Sequence, residues 1–428
     1  MTPSPPRPAR SDGSRRATPE DRSAAGAADQ PLVIYGPWSL RYDFGPGHPL
    51  TPRRFGPGVS LLEALGAARF EAPEPAPDEQ LRLIHTASYI ETVKRAGADP
   101  VEAEGARSWE SGAYESAGAY AAAGLGPGDD PIFPAMHDAG AAVAGGSLAA
   151  MGHLLDGSER HVFHPGGGLH HAMADRASGF CIYNDPALAI ARARQAGLRV
   201  LYVDLDVHHG DGVQAAFWDD PAVLTLSLHE SGRYLFPGTG FIDELGGGGA
   251  RGTKVNIPFE PSTSDDDWVL ALDRLVPALA DRHRPDVLVT QHGCDSHALD
   301  PLAHLLLTTR AMHRATRLLD EIAHRHCGGR WLATGGGGYD IHRVVPRAWA
   351  LVWSAQAHLA PEPALPDAWR ARWAADADRD GQAPIPEGLL DPQTMVRHDG
   401  ALSALNRRTL DALEARLAAT PRPAVDGT

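Results

Sequence analysis

The feature of this chain that most limits its fold is a repeated one. Four short, apolar, β-prone runs each stop abruptly at a polar or glycine-rich cluster. Residues 161–163 run into a glycine-rich stretch ending in His170 and His171, and residues 200–203 into Asp-Leu-Asp-Val-His-His-Gly-Asp-Gly (204–212). Residues 287–289 run into a stretch carrying His292, Asp295, His297 and Asp300, and residues 331–333 into the glycines at 335–338 and Tyr339. Helical patterns over 136–155, 186–196, 265–281, 302–326 and 341–358 fall around these runs. Strands alternating with such helices predict a single α/β domain: a mostly parallel central sheet covered on both faces, in three α/β/α layers. Sheets of this kind bind ligands beyond the carboxyl ends of their strands. All four clusters therefore converge on one place.

The stretch after Val203 carries the most chemistry. If the strand continues, Asp204, Asp206 and His208 share one face, while Leu205 and Val207 share the other. Two carboxylates and an imidazole on a buried face are costly unless something binds them. A divalent metal fits, because Asp oxygen and His nitrogen are ordinary ligands and a catalytic zinc takes three protein ligands plus water. Asp295, brought in by convergence, completes the set Asp206, His208 and Asp295. A capped turn with a solvated imidazole and a helix N-cap at Asp295 are the plainer alternatives. His170 and His171 would lie beside the metal as bases. Asp204 and Asp211 would each orient one imidazole through a ring N–H; a structural histidine pair and turn-forming carboxylates are the alternatives. Tyr339 follows a glycine run that lets the backbone approach a ligand, so its phenol is placed to donate to an oxyanion or to serve as a core tyrosine. No Lys-Ser/Thr follows the glycines, so they do not match a nucleotide loop.

Composition narrows the partners. A net charge of −15, with Lys94 and Lys254 the only lysines, argues against nucleic-acid binding and suits a cationic substrate. Cys181, Cys294 and Cys327 have no paired spacing, which suggests a reducing cytoplasm rather than a disulfide framework. No run reaches the apolar length of a membrane span. Residues 1–30, rich in Pro, Ala, Ser and Arg, read as a disordered leader without the apolar core of a signal peptide. Residues 31–400 are the expected main domain, and 401–428 a terminal helix with a flexible tail. Further strands are expected at 32–35, 223–228 and 254–259, and helices at 60–66 and 88–96. Residues 42–54 and 98–134 read as irregular.

Assembled in order, these residues resemble the zinc-dependent histone deacetylase family of the arginase/deacetylase superfamily, especially its bacterial acetoin-utilisation branch. The matching pieces are Gly-Gly-Leu-His-His-Ala (167–172), Ser-Gly-Phe-Cys (178–181), Asn184-Asp185, residues 204–212, Phe-Pro-Gly-Thr-Gly (236–240), Gly-Cys-Asp (293–295), Asp300-Pro301 and Gly-Gly-Gly-Gly-Tyr (335–339). The resemblance implies the arginase/deacetylase fold and one zinc held by Asp206, His208 and Asp295. It makes His171, supported by Asp211, the main general acid/base, and His170, supported by Asp204, the second imidazole. Tyr339 would polarise the acetyl carbonyl. Gly179, Phe180 and Phe236 would line a narrow tunnel, and Asp129 or Asp130 would grip the substrate backbone at its rim. Arg54 matches an arginine linked to an internal acetate channel. Potassium sites, built largely from backbone carbonyls, would neighbour Asp204, Asp206 and Ser227. The implied reaction is hydrolysis of acetyl-lysine in proteins or peptides, releasing acetate; the alternative is a small-molecule amidohydrolase acting on acetylated polyamines or related amines. Two departures stand out: Leu235 occupies a tunnel position where many relatives have an aromatic, and His297 stands where a second, arginase-like metal would expect a carboxylate. The oligomeric state is not set by the sequence.

Overall fold

The computed structural model describes residues 30–98, 118–397 and 399–420. The leader before Gln30, part of the rim stretch (99–117) and the tail after Thr420 lie outside them. The strands are β1 (Leu32–Ile34), β2 (Phe70–Glu71), β3 (His161–His164), β4 (Val200–Asp204), β5 (Val223–Glu230), β6 (Lys254–Phe259), β7 (Val287–Gln291) and β8 (Trp331–Thr334). They form one sheet, parallel throughout, in the order β2-β1-β3-β8-β7-β4-β5-β6. The four runs with polar ends are thus the adjacent central strands β3, β8, β7 and β4. Their last residues stand in register: His164 beside Thr334, Thr334 beside Gln291, and Gln291 beside Asp204. Each following cluster starts from the same edge of the sheet.

The strands are apolar runs because both faces are covered. Alternate side chains divide between two cores: Leu201, Val203 and Leu288 in one, Val200, Tyr202, Val287 and Val289 in the other. The first core is closed by α1 (Phe55–Ala64), then α7 (Asp265–His283), α8 (Thr309–His326) and α9 (Val345–Gln356). The second face carries α4 (Met136–Asp156) and α5 (Asp185–Gln195). The remaining labelled helices are α2 (Asp78–Leu81), α3 (Ala87–Ala98), α6 (Asp211–Ala216), α10 (Asp367–Arg379) and α11 (Gly400–Ala419). Helix α11 lays Leu410, Leu413 and Leu417 into the first core, and its Asn406 donates to Thr263 Oγ1 at 2.7 Å. Fully burying each such leucine is worth about 1.5–3 kcal/mol.

Three helix starts differ from the sequence expectation by four residues or more, each for a local reason. Helix α8 starts at Thr309 rather than near 302, because Leu306 and Leu307 bridge to Ser264 and His297 and Thr308 caps the helix by accepting from Arg310 N. Helix α9 starts at Val345, where Pro346 enters its first turn. Helix α1 begins five residues before the expected 60, at Phe55, straight out of a short 3-10 turn over Pro52–Arg54. Strand β2 and helices α2 and α10 had no expectation.

His283, at the end of α7, supplies a pH-sensitive contact below the sheet. Its Nε2–H donates to Val200 O at 3.0 Å, and its Nδ1 accepts from Arg199 Nη2 at 3.3 Å. Burial, with Arg199 adding to it, lowers its pKa from 6.5 to about 3. The unfolded chain therefore takes up this proton first as pH falls. The stability His283 gives is present above about pH 6.5 and is lost on the way down to 3. His283→Gln should show a shallower acid limb than the wild type. Denaturant melts at pH 7 and 4.5 should find the two proteins closer at the lower pH by on the order of 2 kcal/mol.

Candidate active site

Beyond Asp204 the chain bends instead of continuing as a strand. Carboxylates cause the bend by capturing backbone amides. Asp204 Oδ1 accepts from Asp206 N at 3.2 Å, Asp206 Oδ1 from His208 N at 3.0 Å, and Asp295 Oδ1 from Val207 N at 2.9 Å. The expectation that a strand's alternation presents Asp204, Asp206 and His208 is therefore corrected. Asp206 and His208 are aimed by this turn, and Asp204 points to a different partner.

The potential ligand atoms of Asp206, His208 and Asp295 lie within 4.8 Å of one another. His208 Nδ1 is 3.0 Å from Asp206 Oδ1 and 3.2 Å from Asp295 Oδ2. Despite that proximity, Asp295 Oδ2 is buried without a well-formed hydrogen bond. Burial lowers the His208 pKa, but the carboxylates of Asp206 and Asp295 outweigh it and push the imidazole up to about 10. Without a cation the cluster must hold a proton. The donor set, two carboxylates and one imidazole around an orphaned oxygen, suits a divalent metal in its place. Neighbours fix the cluster. Asp206 Oδ2 accepts from Gln291 Nε2 at 2.7 Å and from Gly337 N at 2.8 Å. A Cβ on Gly337 would fall 1.9 Å from Asp295 Oδ2, so only glycine permits this approach.

The two histidines form a second unit. His170 Nδ1–H donates to Asp204 Oδ2 at 2.8 Å, and His171 Nδ1–H donates to Asp211 Oδ1 at 2.7 Å. Their Nε2 atoms face each other at 2.9 Å. With both Nδ1 atoms protonated, that contact needs one further proton, so the pair carries a single positive charge. Burial opposes charge on both rings. Asp204 and Asp206 overcome it at His170, pushing its pKa up to about 9, whereas at His171 burial and the charge on His170 hold the value down to about 4. The pair thus combines one cationic and one neutral imidazole.

These groups open into a cleft enclosing about 780 Å³, part of it open to solvent. His170, His171, Asp206, His208 and Tyr339 line its floor; Gly179, Phe180 and Phe236 line its walls. The Phe236 ring meets His171 edge-on at 4.9 Å, and Phe180 meets Tyr339 at 6.0 Å. Gly179 has φ 53°, and a Cβ there would fall 2.6 Å from the His171 ring. Burial, reinforced by Asp295 and Asp206, raises the Tyr339 pKa far above its ordinary value, so the phenol remains a donor. Asp129 is exposed and lines the cleft. Asp130 is 3% exposed, and burial beside Asp129 pushes its pKa up to about 8, so Asp129 is the rim carboxylate. Arg54 does not line this cleft. It is buried, donates to Gly336 O at 2.7 Å, and lines a smaller cavity adjoining the cleft through Leu50 and Leu169.

Several supporting residues were given no role from the sequence. Gln291 holds Asp206, and Tyr202 donates its hydroxyl to Asp204 at 2.7 Å. Asp185 accepts from Leu169 N at 2.8 Å and fixes the turn before the histidine pair; Asp300 accepts from Tyr339 N at 2.8 Å. Asp185 and Asp300 stand in the motif pieces Asn184-Asp185 and Asp300-Pro301, Gln291 offers a hint as a buried polar residue closing an apolar strand, and Tyr202 offers none. His297 points away from the site, with its Nε2 2.8 Å from Asp391 Oδ2 in a buried network with Arg347.

Residues 48–356 match the family described as "Histone deacetylase domain". The fold and site together make this a hydrolase acting on amide bonds, of a class that uses a metal cofactor. The chain belongs to the histone deacetylase family, in its acetoin-utilisation-like branch. It is 43% identical over 339 residues to the acetoin utilization protein AcuC of Bacillus subtilis (strain 168), covering 78% of this chain and 84% of that protein. Over 326 residues it is 35% identical to the Staphylococcus xylosus AcuC, covering 75% and 81%. Among solved structures, an HDAC homolog complexed with SAHA aligns with a TM-score of 0.76 and 29% identity over 90% of this chain and 100% of that one. An HDAC homolog from Aquifex aeolicus aligns at 0.75 and 27% identity, with the same coverage. No helix among the described residues is long and apolar enough to cross a membrane.

Proposed function

We propose that the protein hydrolyses the acetyl amide of acetyl-lysine in proteins or peptides, releasing acetate, with zinc held by Asp206, His208 and Asp295. The observation that carries this reading is the cleft itself. Its aromatic walls, Phe180 and Phe236, suit an apolar lysine stem and lead to a floor where the carboxylate–imidazole cluster, the histidine pair and Tyr339 meet. Bound there, zinc supplies Lewis-acid polarisation of the carbonyl and a more acidic water. The chain's own groups do the rest. Neutral His171, oriented by Asp211, takes a proton from the attacking water. The Tyr339 hydroxyl donates to the carbonyl oxygen as it becomes an oxyanion, and cationic His170, held by Asp204, places positive charge nearby. The imidazolium formed at His171 then gives its proton to the amine nitrogen as the C–N bond breaks, leaving acetate and the free lysine. Asp129 is placed to accept from the substrate backbone at the rim. Arg54, behind the floor, fits an acetate exit, and a potassium ion beside Asp204, Asp206 and Ser227 belongs to the same proposal.

The competing substrate is an acetylated polyamine. Acetate release from an acetyl-lysine peptide and from acetylspermidine, measured in parallel, separates the two. The proposal predicts a kcat/KM at least about tenfold higher for the peptide, about 1.4 kcal/mol of transition-state preference. Cleavage confined to acetylspermidine would overturn it.

A further inference from the structure

At the opposite end of the sheet from the cleft, four side chains from three separate parts of the fold meet. They are His161, the first residue of β3; Asp320 and His324 on α8; and His358, just past α9. Their potential ligand atoms all lie within 4.8 Å of one another. Three imidazole Nε2 atoms surround one carboxylate oxygen, Asp320 Oδ1, at 3.4 Å (His324), 3.4 Å (His358) and 3.9 Å (His161). The Nε2 atoms of His324 and His358 are 3.0 Å apart.

Ordinary hydrogen bonding leaves this arrangement unsatisfied. His161 Nδ1 lies 2.8 Å from Gln356 O, a carbonyl that can only accept, so the ring proton sits on Nδ1 and the Nε2 lone pair faces the cluster. His161 is 6% exposed, and its Nε2 has no hydrogen-bond partner. Asp320 Oδ1 is likewise buried without one. A proton between His324 and His358 satisfies that pair alone. The backbone is also committed to the arrangement: His358 stops α9 in the left-handed region, at φ 54°, where a non-glycine residue is strained.

Tetrahedral zinc with bonds of about 2.0–2.1 Å sets its ligand atoms about 3.3 Å apart. The observed separations bracket that edge. Three neutral imidazoles and one carboxylate suit zinc or a neighbouring first-row ion, and with no sulfur ligand the site does not favour a soft one. We infer that His161, Asp320, His324 and His358 form a second, structural transition-metal site of three imidazoles and one carboxylate. With all four positions filled by protein, it has no open position for substrate. The ion would pin the start of β3 to the last turn of α8 and the end of α9.

The test uses tag-free, full-length protein, because a histidine tag would bind the same ion. Asp295→Ala removes a ligand of the catalytic cluster and leaves the second site untouched. After equilibration with Zn2+ and removal of loose metal, this variant should retain one equivalent of zinc and melt a few degrees higher than without it. Adding His324→Ala and His358→Ala, both at exposed positions, should abolish the retained zinc and the shift in Tm. In an otherwise wild-type chain, those two substitutions should lower the zinc content from two equivalents to one while acetate release stays within about twofold of wild type. Failure of Asp295→Ala to retain zinc would overturn the inference, as would equal retention with both histidines removed. Neither result depends on whether the cleft deacetylates, because the readouts are metal content and melting temperature.

Discussion

Asp295→Ala is expected to reduce acetate release by about 10³-fold or more and to lose the zinc proposed for the cleft. The carboxylate does two things. Oδ2 is the unpaired oxygen facing His208, and Oδ1 accepts the Val207 amide that bends the chain and aims Asp206 and His208. Its removal would delete one proposed ligand and loosen the other two. Lewis-acid polarisation is worth several kcal/mol of transition-state stabilisation, and each 1.4 kcal/mol is a factor of ten in rate. Asp295→Asn is a useful companion, because the amide oxygen can still accept from Val207 N. It should keep the fold closer to wild type while weakening the metal. Zinc content and kcat/KM, measured on the same samples, check both variants. Activity near wild type with Asp295→Ala would remove this cluster from the mechanism.

Tyr339→Phe is expected to lower kcat by about 10²–10³-fold with little change in KM or in zinc content. Loss of one preorganised oxyanion donor costs roughly 2.7–4 kcal/mol in the transition state. Two contacts and burial ready the phenol to donate. Its backbone N–H donates to Asp300, its ring stands edge-on to Phe180, and burial keeps it protonated. The substrate's ground-state carbonyl asks less of this donor than the oxyanion does, so the loss should fall on kcat. A variant that raises KM alone would make Tyr339 a wall of the cleft rather than part of its chemistry.

Much of the site was legible because its polar residues interrupt strongly apolar runs. An apolar run followed directly by Asp204, Asp206 and His208, or by a stretch carrying Asp295, stands out against its own composition. The convergence of the clusters could be reasoned from the parallel sheet, but adjacency of β3, β8, β7 and β4 could not. Strand order depends on which crossovers pack, and β7 and β8 insert between strands formed much earlier in the chain. The bend after Asp204 was also hidden, because side chains override the strand's period by capturing amides. Asp129 and Asp130 are equivalent in sequence, and only burial separates them. The cluster of His161, Asp320, His324 and His358 left no local signature, since its residues come from a strand start, a helix and a helix end.

The most direct measurement is acetate release from an acetyl-lysine peptide by the wild-type protein, as isolated, stripped by a chelator, and re-supplied with zinc, with the free lysine amine counted beside the acetate. One acetate should appear per amine. Stripping should abolish release, zinc should restore it to the wild type, and no amount of zinc should restore it to Asp295→Ala. Release that survives removal of the metal, or that zinc restores equally to Asp295→Ala, would contradict amide hydrolysis at Asp206, His208 and Asp295.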